Sequence, residues 1–254
     1  MNRLLGLVLC VAAAGYLGAC ALLFFKQRSL IYFPPRMAAL RAPQVTTLAV
    51  PDALLVVSQR PRPGPKALIY LGGNAEDVSA SLPQLAQAFP ERSLFLLHYR
   101  GYAGSSGSPS EAALVADALA LFDKVAADHE DVAIVGRSLG SGIAVQVAAA
   151  RRVSKLVLVT PYDSLVDLAA SHFPYFPVRW LLRDKYESWR HAPRVGAPVL
   201  VVAAGDDEII PRRSTDLLAS RFAPGRVSLR VIEGSGHNTL SDSAAYTAAL
   251  QWAQ

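Results

Sequence analysis

Apolar and polar positions along the chain fall into three regimes, and each predicts a different kind of element. From Leu4 to Phe25 the sequence LLGLVLCVAAAGYLGACALLFF runs for 22 residues without a charge, between Arg3 on one side and Lys26 and Arg28 on the other. At about 1.5 Å of rise per residue, a helix of that length spans roughly the 30 Å hydrocarbon core of a bilayer. The pattern predicts one membrane-spanning anchor. A cleaved signal peptide fits less well, because its apolar region is only about 7–15 residues long. LGAC, ending at Cys20, resembles a lipoprotein signal, but ALLFF follows where a lipoprotein has a polar tether.

The second regime begins at Val45. Two β-rich runs, VTTLAV and ALLVVSQR, bracket Pro51 and Asp52 and predict an antiparallel hairpin. From Lys66 a third regime alternates helical stretches with continuous apolar runs: ALIYL, SLFLLHY, VAIVG, KLVLVT, PVLVVAAG and LRVIEG. Strands apolar on both faces belong in a parallel sheet covered by helices, so the fold class predicted is doubly wound α/β. Ahead of the third run, SPSE places Ser108 at a helix N-cap, Pro109 at the first helical position and Glu111 two residues later, a capping box. Leu114, Ala118, Leu121 and Val125 then share the face that packs on the sheet.

These regimes divide the chain into an anchor with its flanks over residues 1–28, a juxtamembrane linker over 29–44 and a globular domain over 45–254. In the linker, QRSLIYFPPR would set Tyr32 and Phe33 among lipid headgroups. A chain of 254 residues accommodates one such α/β domain.

Composition changes this picture little. The 52% hydrophobic content is high, and the anchor carries the excess. Both cysteines, Cys10 and Cys20, lie in the apolar run, so the globular part can build no disulfide framework, cysteine zinc site or cysteine nucleophile. The net charge is +5, but the arginines are scattered, with no basic stripe interleaved with aromatics. No nucleic-acid partner is expected, and an anionic membrane surface explains the excess. Counting Arg3 against Lys26, Arg28, Arg36 and Arg41, the positive-inside rule sets the globular domain on the cytoplasmic side.

Candidate chemistry centres on AIVGRSLGSGIAVQVAAA, where an apolar run gives way to an alanine-rich helical pattern. Gly136, Ser138 and Gly140 form G-x-S-x-G. A serine capping an ordinary strand-to-helix turn is the plain reading; a nucleophile elbow is the sharper one. In a parallel sheet, functional groups collect on loops at the carboxyl ends of strands. After PVLVVAAG comes DDEIIP, offering Asp206, Asp207 and Glu208; after LRVIEG comes SGHN, with His237 ahead of the final helix. The order Ser, Asp, His is the elbow's own chain order.

The expected roles are Ser138 as nucleophile, His237 as its base and Asp207 as the carboxylate holding the imidazole, with Asp206 and then Asp163 in TPYDSL behind it. His98, His129, His172 and His191 are read as structural or surface groups. The anionic intermediate needs two donors: the N–H of Leu139, at a helix start, and that of Asn74, with Gly73 as the neighbouring possibility, in GGNAED. That loop lacks the spacing of a phosphate-binding motif.

QRSLIYFPP, GGNAED, HYRGYAGSSGSPSE, GRSLGSG, DDEIIP and GHN together resemble the small membrane-anchored serine hydrolases of the α/β-hydrolase superfamily, the bud-emergence type in fungi and the abhydrolase-domain proteins in animals. The resemblance covers nearly the whole chain. It implies an α/β-hydrolase fold, and aligning Asp-x-x-x-Pro sets the acid at Asp207, ahead of Pro211. The chain departs from the pattern at Gly72-Gly73-Asn74, where the family commonly has His-Gly-Asn, and at His98.

Between TPYDSL and PVLVV, residues 165–192 are rich in aromatics and read either as the ordinary helix crossing between two strands or as a short apolar lid, with Phe173, Phe176 and Trp180 binding substrate. The function expected is hydrolysis of an acyl ester or thioester through an acyl-enzyme, with no metal or organic cofactor. Some relatives remove palmitate from proteins, so S-acylated proteins join lipid esters as substrates the resemblance implies. A peptidase on the same fold would need a larger lid or gating domain. A non-catalytic membrane adaptor would be missing a member of the Ser-His-Asp set, and none is missing.

Overall fold

The computed structural model describes residues 2–35 and 44–254. Each apolar run forms a strand, and with the hairpin they number eight: β1 (Gln44–Val50), β2 (Ala53–Arg60), β3 (Lys66–Leu71), β4 (Ser93–Leu97), β5 (Asp131–Arg137), β6 (Leu156–Val159), β7 (Val199–Ala204) and β8 (Val227–Ile232). They make one sheet in the order β1-β2-β4-β3-β5-β6-β7-β8. The β1–β2 and β2–β4 pairs are antiparallel and the other five are parallel. Val50 pairs with Ala53 across Pro51 and Asp52, so the hairpin closes where expected, with Asp52 at φ +61°.

Successive residues of β3 alternate between two cores: Leu68 and Tyr70 pack into one, Ile69 and Leu71 into the other. That alternation is why the runs are apolar throughout, since both faces of the sheet are covered. β8 differs, with Ser228, Leu229 and Arg230 exposed, because it is the sheet's last strand.

The helices are α1 (Asn2–Ile31), α2 (Leu82–Ala88), α3 (Glu111–Ala126), α4 (Leu139–Ala150), α5 (Leu165–His172), α6 (Val178–Leu181), α7 (Arg212–Arg221) and α8 (Ala244–Leu250). Leu114, Ala118, Leu121 and Val125 of α3 are all buried, as the spacing predicts. The cap lies two residues later than expected. Ser110, not Ser108, is the N-cap and accepts from the Ala113 N–H. The Glu111 carboxylate turns outward to accept the N–H groups of Lys185 (2.7 Å) and Tyr186 (3.0 Å), so a tertiary contact replaces the reciprocal arm of a capping box.

α1 is long and apolar enough to cross a membrane by length and composition. It runs on through Ile31, past the flank expected at Arg28, while residues 36–43 of the expected linker, Arg36 and Arg41 among them, lie outside the described residues. Its carboxyl end docks on the segment that carries α5 and α6. Gln27 donates through Nε2 to the Leu181 carbonyl (3.1 Å) and accepts at Oε1 from the Arg183 N–H (2.7 Å). Arg28 pairs with Asp184 at 3.0 Å, and Tyr32 donates to the same carboxylate at 3.1 Å.

Tyr32 is therefore not in the headgroup layer. It is buried, within 2.9 Å of the Tyr186 hydroxyl, and burial raises its pKa. Phe33 keeps about half its surface exposed.

His98, where the chain departs from the family pattern, directly follows β4. Its Nε2 lies 2.8 Å from Ser58 Oγ, and its carbonyl accepts from Ser105. Burial lowers its pKa from 6.5, outweighing the attraction of Asp77. The unfolded chain then binds a proton below pH 6.5 that the folded one does not, so stability falls as pH drops through that window. Melting curves between pH 8 and 5 should fall more steeply for the wild type than for His98→Asn; parallel curves would mean the group titrates alike in both states.

Candidate active site

Ser138 stands where β5 hands over to α4, at φ +50° and ψ −116°. A non-glycine residue there is strained by roughly 1–3 kcal/mol, a cost that functional sites carry. The flanking glycines make the turn possible. A Cβ on Gly136 would stand 2.6 Å from the Gly140 carbonyl oxygen, and one on Gly140 would overlap the Leu71 carbonyl at the end of β3. Ser138 thus projects from the sheet's carboxyl edge, its own N–H bonded to Val159 (2.9 Å).

The loops after β7 and β8 meet it there. His237 Nε2 lies 3.0 Å from Ser138 Oγ, and His237 Nδ1 lies 3.0 and 3.1 Å from the two oxygens of Asp207. The Asp207 carboxylate also accepts the N–H groups of Ile209 and Ile210 at 3.0 and 2.7 Å. Burial pushes this carboxyl up, but the His237 hydrogen bond, the Ile210 and Ile209 N–H groups and the attraction of the imidazole outweigh it and hold it below 3.8. Glu208 takes the His237 N–H (3.0 Å), tying the two loops together.

The other two carboxylates fall elsewhere. Asp206 is exposed, bonded through its N–H to the Ser235 carbonyl. Asp163 faces Arg221 at 3.8 Å, and its pKa is raised by burial.

Of the donors expected beside Ser138, the N–H groups of Leu139 and Asn74 have no acceptor among the described residues. Asn74 is held on its other sides: its carbonyl accepts from Phe33 (3.0 Å) and Tyr102 (2.6 Å), and its side chain donates to the Ile31 carbonyl (3.0 Å). The neighbouring Gly73 N–H, by contrast, donates to Glu76 Oε2 at 2.8 Å.

Glu76, which the sequence reading passed over, is the hub of this loop. It also accepts from Tyr70 and Ser81 and faces Arg137 at 3.8 Å. Arg137 reaches on to the His237 carbonyl. Only their places inside GGNAED and GRSLGSG hinted at such a role.

Ser138 and His237 open on a cavity of about 890 Å³. The α5–α6 segment covers it, with Phe173 and Phe176 in the wall, and His172, read from the sequence as a bystander, lines it too. Trp180 is not in the wall; it is 88% exposed. Val178 and Leu181, three apart on α6, take the cavity face, and Trp180 falls on the other side. α1 adds Leu23, Gln27, Leu30 and Ile31 to the wall, and the loops around Asn74 and Ile210 close the rest. Among the described residues no cluster of side chains has the makings of a metal site.

An elbow serine after β5, a carboxylate after β7 and an imidazole after β8 of a mostly parallel sheet define the class of α/β-hydrolase-fold proteins. Comparison with known proteins agrees. The model of a family described as alpha/beta hydrolase fold matches residues 66–188. An uncharacterized protein of Mycobacterium tuberculosis is 35% identical over 249 residues, covering 91% of this chain and 87% of its own. The chain belongs to the α/β-hydrolase family, in its bud-emergence and abhydrolase-domain type, and its class is that of a hydrolase.

Lysophosphatidylserine lipase ABHD12 of Xenopus tropicalis is 34% identical over 154 residues, 52% of this chain and 39% of that protein. The structure of an esterase of Pyrococcus furiosus superposes with a TM-score of 0.71 at 14% identity, covering 87% of this chain and 97% of that one, and so shares the fold.

Proposed function

We propose that the protein is a membrane-anchored serine hydrolase that cleaves acyl esters or thioesters of lipid type through an acyl-enzyme on Ser138. The observation that carries this reading is the row Asp207, His237, Ser138 opening on a largely apolar cavity. With its Nδ1 proton held by the ionised Asp207, the imidazole presents Nε2 to Ser138 as an acceptor. It takes the hydroxyl proton as Oγ attacks the substrate carbonyl, and returns it to the leaving group. The free N–H groups of Leu139 and Asn74 receive the oxyanion. Water then attacks the acyl-enzyme by the same route.

Acyl substrates are favoured by the cavity's size, which suits a long chain, and by its aromatic and aliphatic walls. The lipase among the relatives points the same way. Membrane anchoring rests on the length and apolarity of α1.

A fluorophosphonate probe applied to membranes tests the reading. Wild type should be labelled, Ser138→Ala and His237→Ala should not, and a panel of esters and thioesters of graded length should peak at long chains. A folded wild type that takes no label would move the reading to a non-catalytic adaptor. Turnover of peptides run beside that panel, with none of the esters or thioesters, would make it a peptidase.

A further inference from the structure

α1 and the lid are joined well below the first charge at the anchor's end. Tyr16 donates to the Tyr175 carbonyl at 2.9 Å, and its ring stacks on Phe176, 5.8 Å between centroids and 6° from parallel. Tyr16 precedes Lys26 by ten residues, about 15 Å along a helix axis. That is half the thickness of a hydrocarbon core. If Lys26 marks the edge of that core, the tip of the lid reaches toward its middle.

The tip's surface suits such a place. Tyr175 is 85% exposed and Trp180 88%, beside a partly exposed Phe173. Large apolar side chains left open side by side mark a contact surface. Between Leu168 and Leu182 the one full charge, Arg179, is paired with Asp167. Leu23, which lies inside the uncharged run, lines the same cavity as Ser138, so the cavity itself extends below the level of Lys26. There its wall is a seam between two separate segments, α1 and the lid.

We propose that the lid tip, Phe173–Trp180, lies in the same hydrocarbon layer as α1, and that the substrate's acyl chain enters the cavity from within the bilayer through the seam at Tyr16 and Phe176. This rests on the reading of the protein as an anchored acyl hydrolase. The anchor is then half of the substrate's doorway as well as a tether. A chain taking this route never crosses water, and the ester arrives at Ser138 from the membrane side.

The test uses the full-length protein in vesicles of phosphatidylcholine and phosphatidylglycerol. Lipids brominated midway along their chains should quench tryptophan emission of the wild type more than that of Trp180→Phe; equal quenching overturns the immersion of the tip. Trp180→Glu and Tyr175→Glu, which change residues outside the cavity wall, should slow hydrolysis of a long-chain ester carried in the vesicles at least tenfold. They should leave a water-soluble short-chain ester within twofold. Equal losses on both esters, or none on either, overturn entry through the seam. If the wild type hydrolyses neither ester while Trp180 is still quenched, the hydrolase reading fails and the immersed tip stands.

Discussion

Ser138→Ala should fold as the wild type does and hydrolyse acyl esters about four orders of magnitude more slowly, as kcat/KM on a fixed substrate will report. The alanine keeps the Cβ and the strained backbone but removes the one oxygen among the described residues that His237 Nε2 bonds. What activity remains comes from the cavity and the two N–H donors. Asp207→Asn should approach the same loss, because an amide that donates to Nδ1 turns the ring to the wrong tautomer. The double variant should be little slower than either single one, since the three groups act as a unit. Ser138→Gly should lose as much activity and gain about 1 kcal/mol of stability, since glycine adopts φ +50° without strain. Additive losses in the double variant would show that the row does not work as one device.

Gly140→Ala carries the largest expected effect on the fold. A methyl at that position meets only backbone: it overlaps the Leu71 carbonyl oxygen and stands 2.6 Å from that of Gly72. No flexible side chain can give way, so α4 must part from the end of β3. The expected cost is about 4 kcal/mol, at the upper end for a single substitution. Urea unfolding will measure it. Activity should fall further than the unfolded fraction explains, because the same shift moves the loop bearing Asn74 away from Leu139. By contrast, Gly196→Ala, where a Cβ meets nothing within 4 Å, should be near neutral.

Much of this architecture is legible in the chain because local chemistry and tertiary position agree. A strand buried on both faces must be apolar at every position, so β5, β6 and β7 announce themselves. The elbow needs small residues around one serine, and the loops after β7 and β8 carry their polar groups at fixed places in the order. The contacts of α1 are not legible in that way. Gln27, Arg28 and Tyr32 after an apolar run read equally as an interfacial belt and as a docking face; their partners Leu181, Arg183, Asp184 and Tyr186, more than 150 residues away, distinguish the two. Trp180 fails for a related reason. Aromatic content marks the α5–α6 segment, but on a four-residue helix the choice of inward face depends on what it packs against. Ser110 and Ser108 both suit a cap on either side of Pro109, and the outcome turned on where Glu111 was needed.

The bonds to Asn74 bear on modularity. Its carbonyl is held by the Phe33 N–H and its side chain by the Ile31 carbonyl, one at the last residue of α1 and the other two residues beyond it. In a tethered enzyme of the usual kind, one apolar helix can be exchanged for another of equal length. Here a foreign helix would keep the protein at the membrane and still lose whatever alignment lets the chain after Ile31 grip the loop beside Ser138. On the proposed reading α1 and the reacting centre work as one unit, so a chimera joined just before Ile31 should attach normally and turn over poorly.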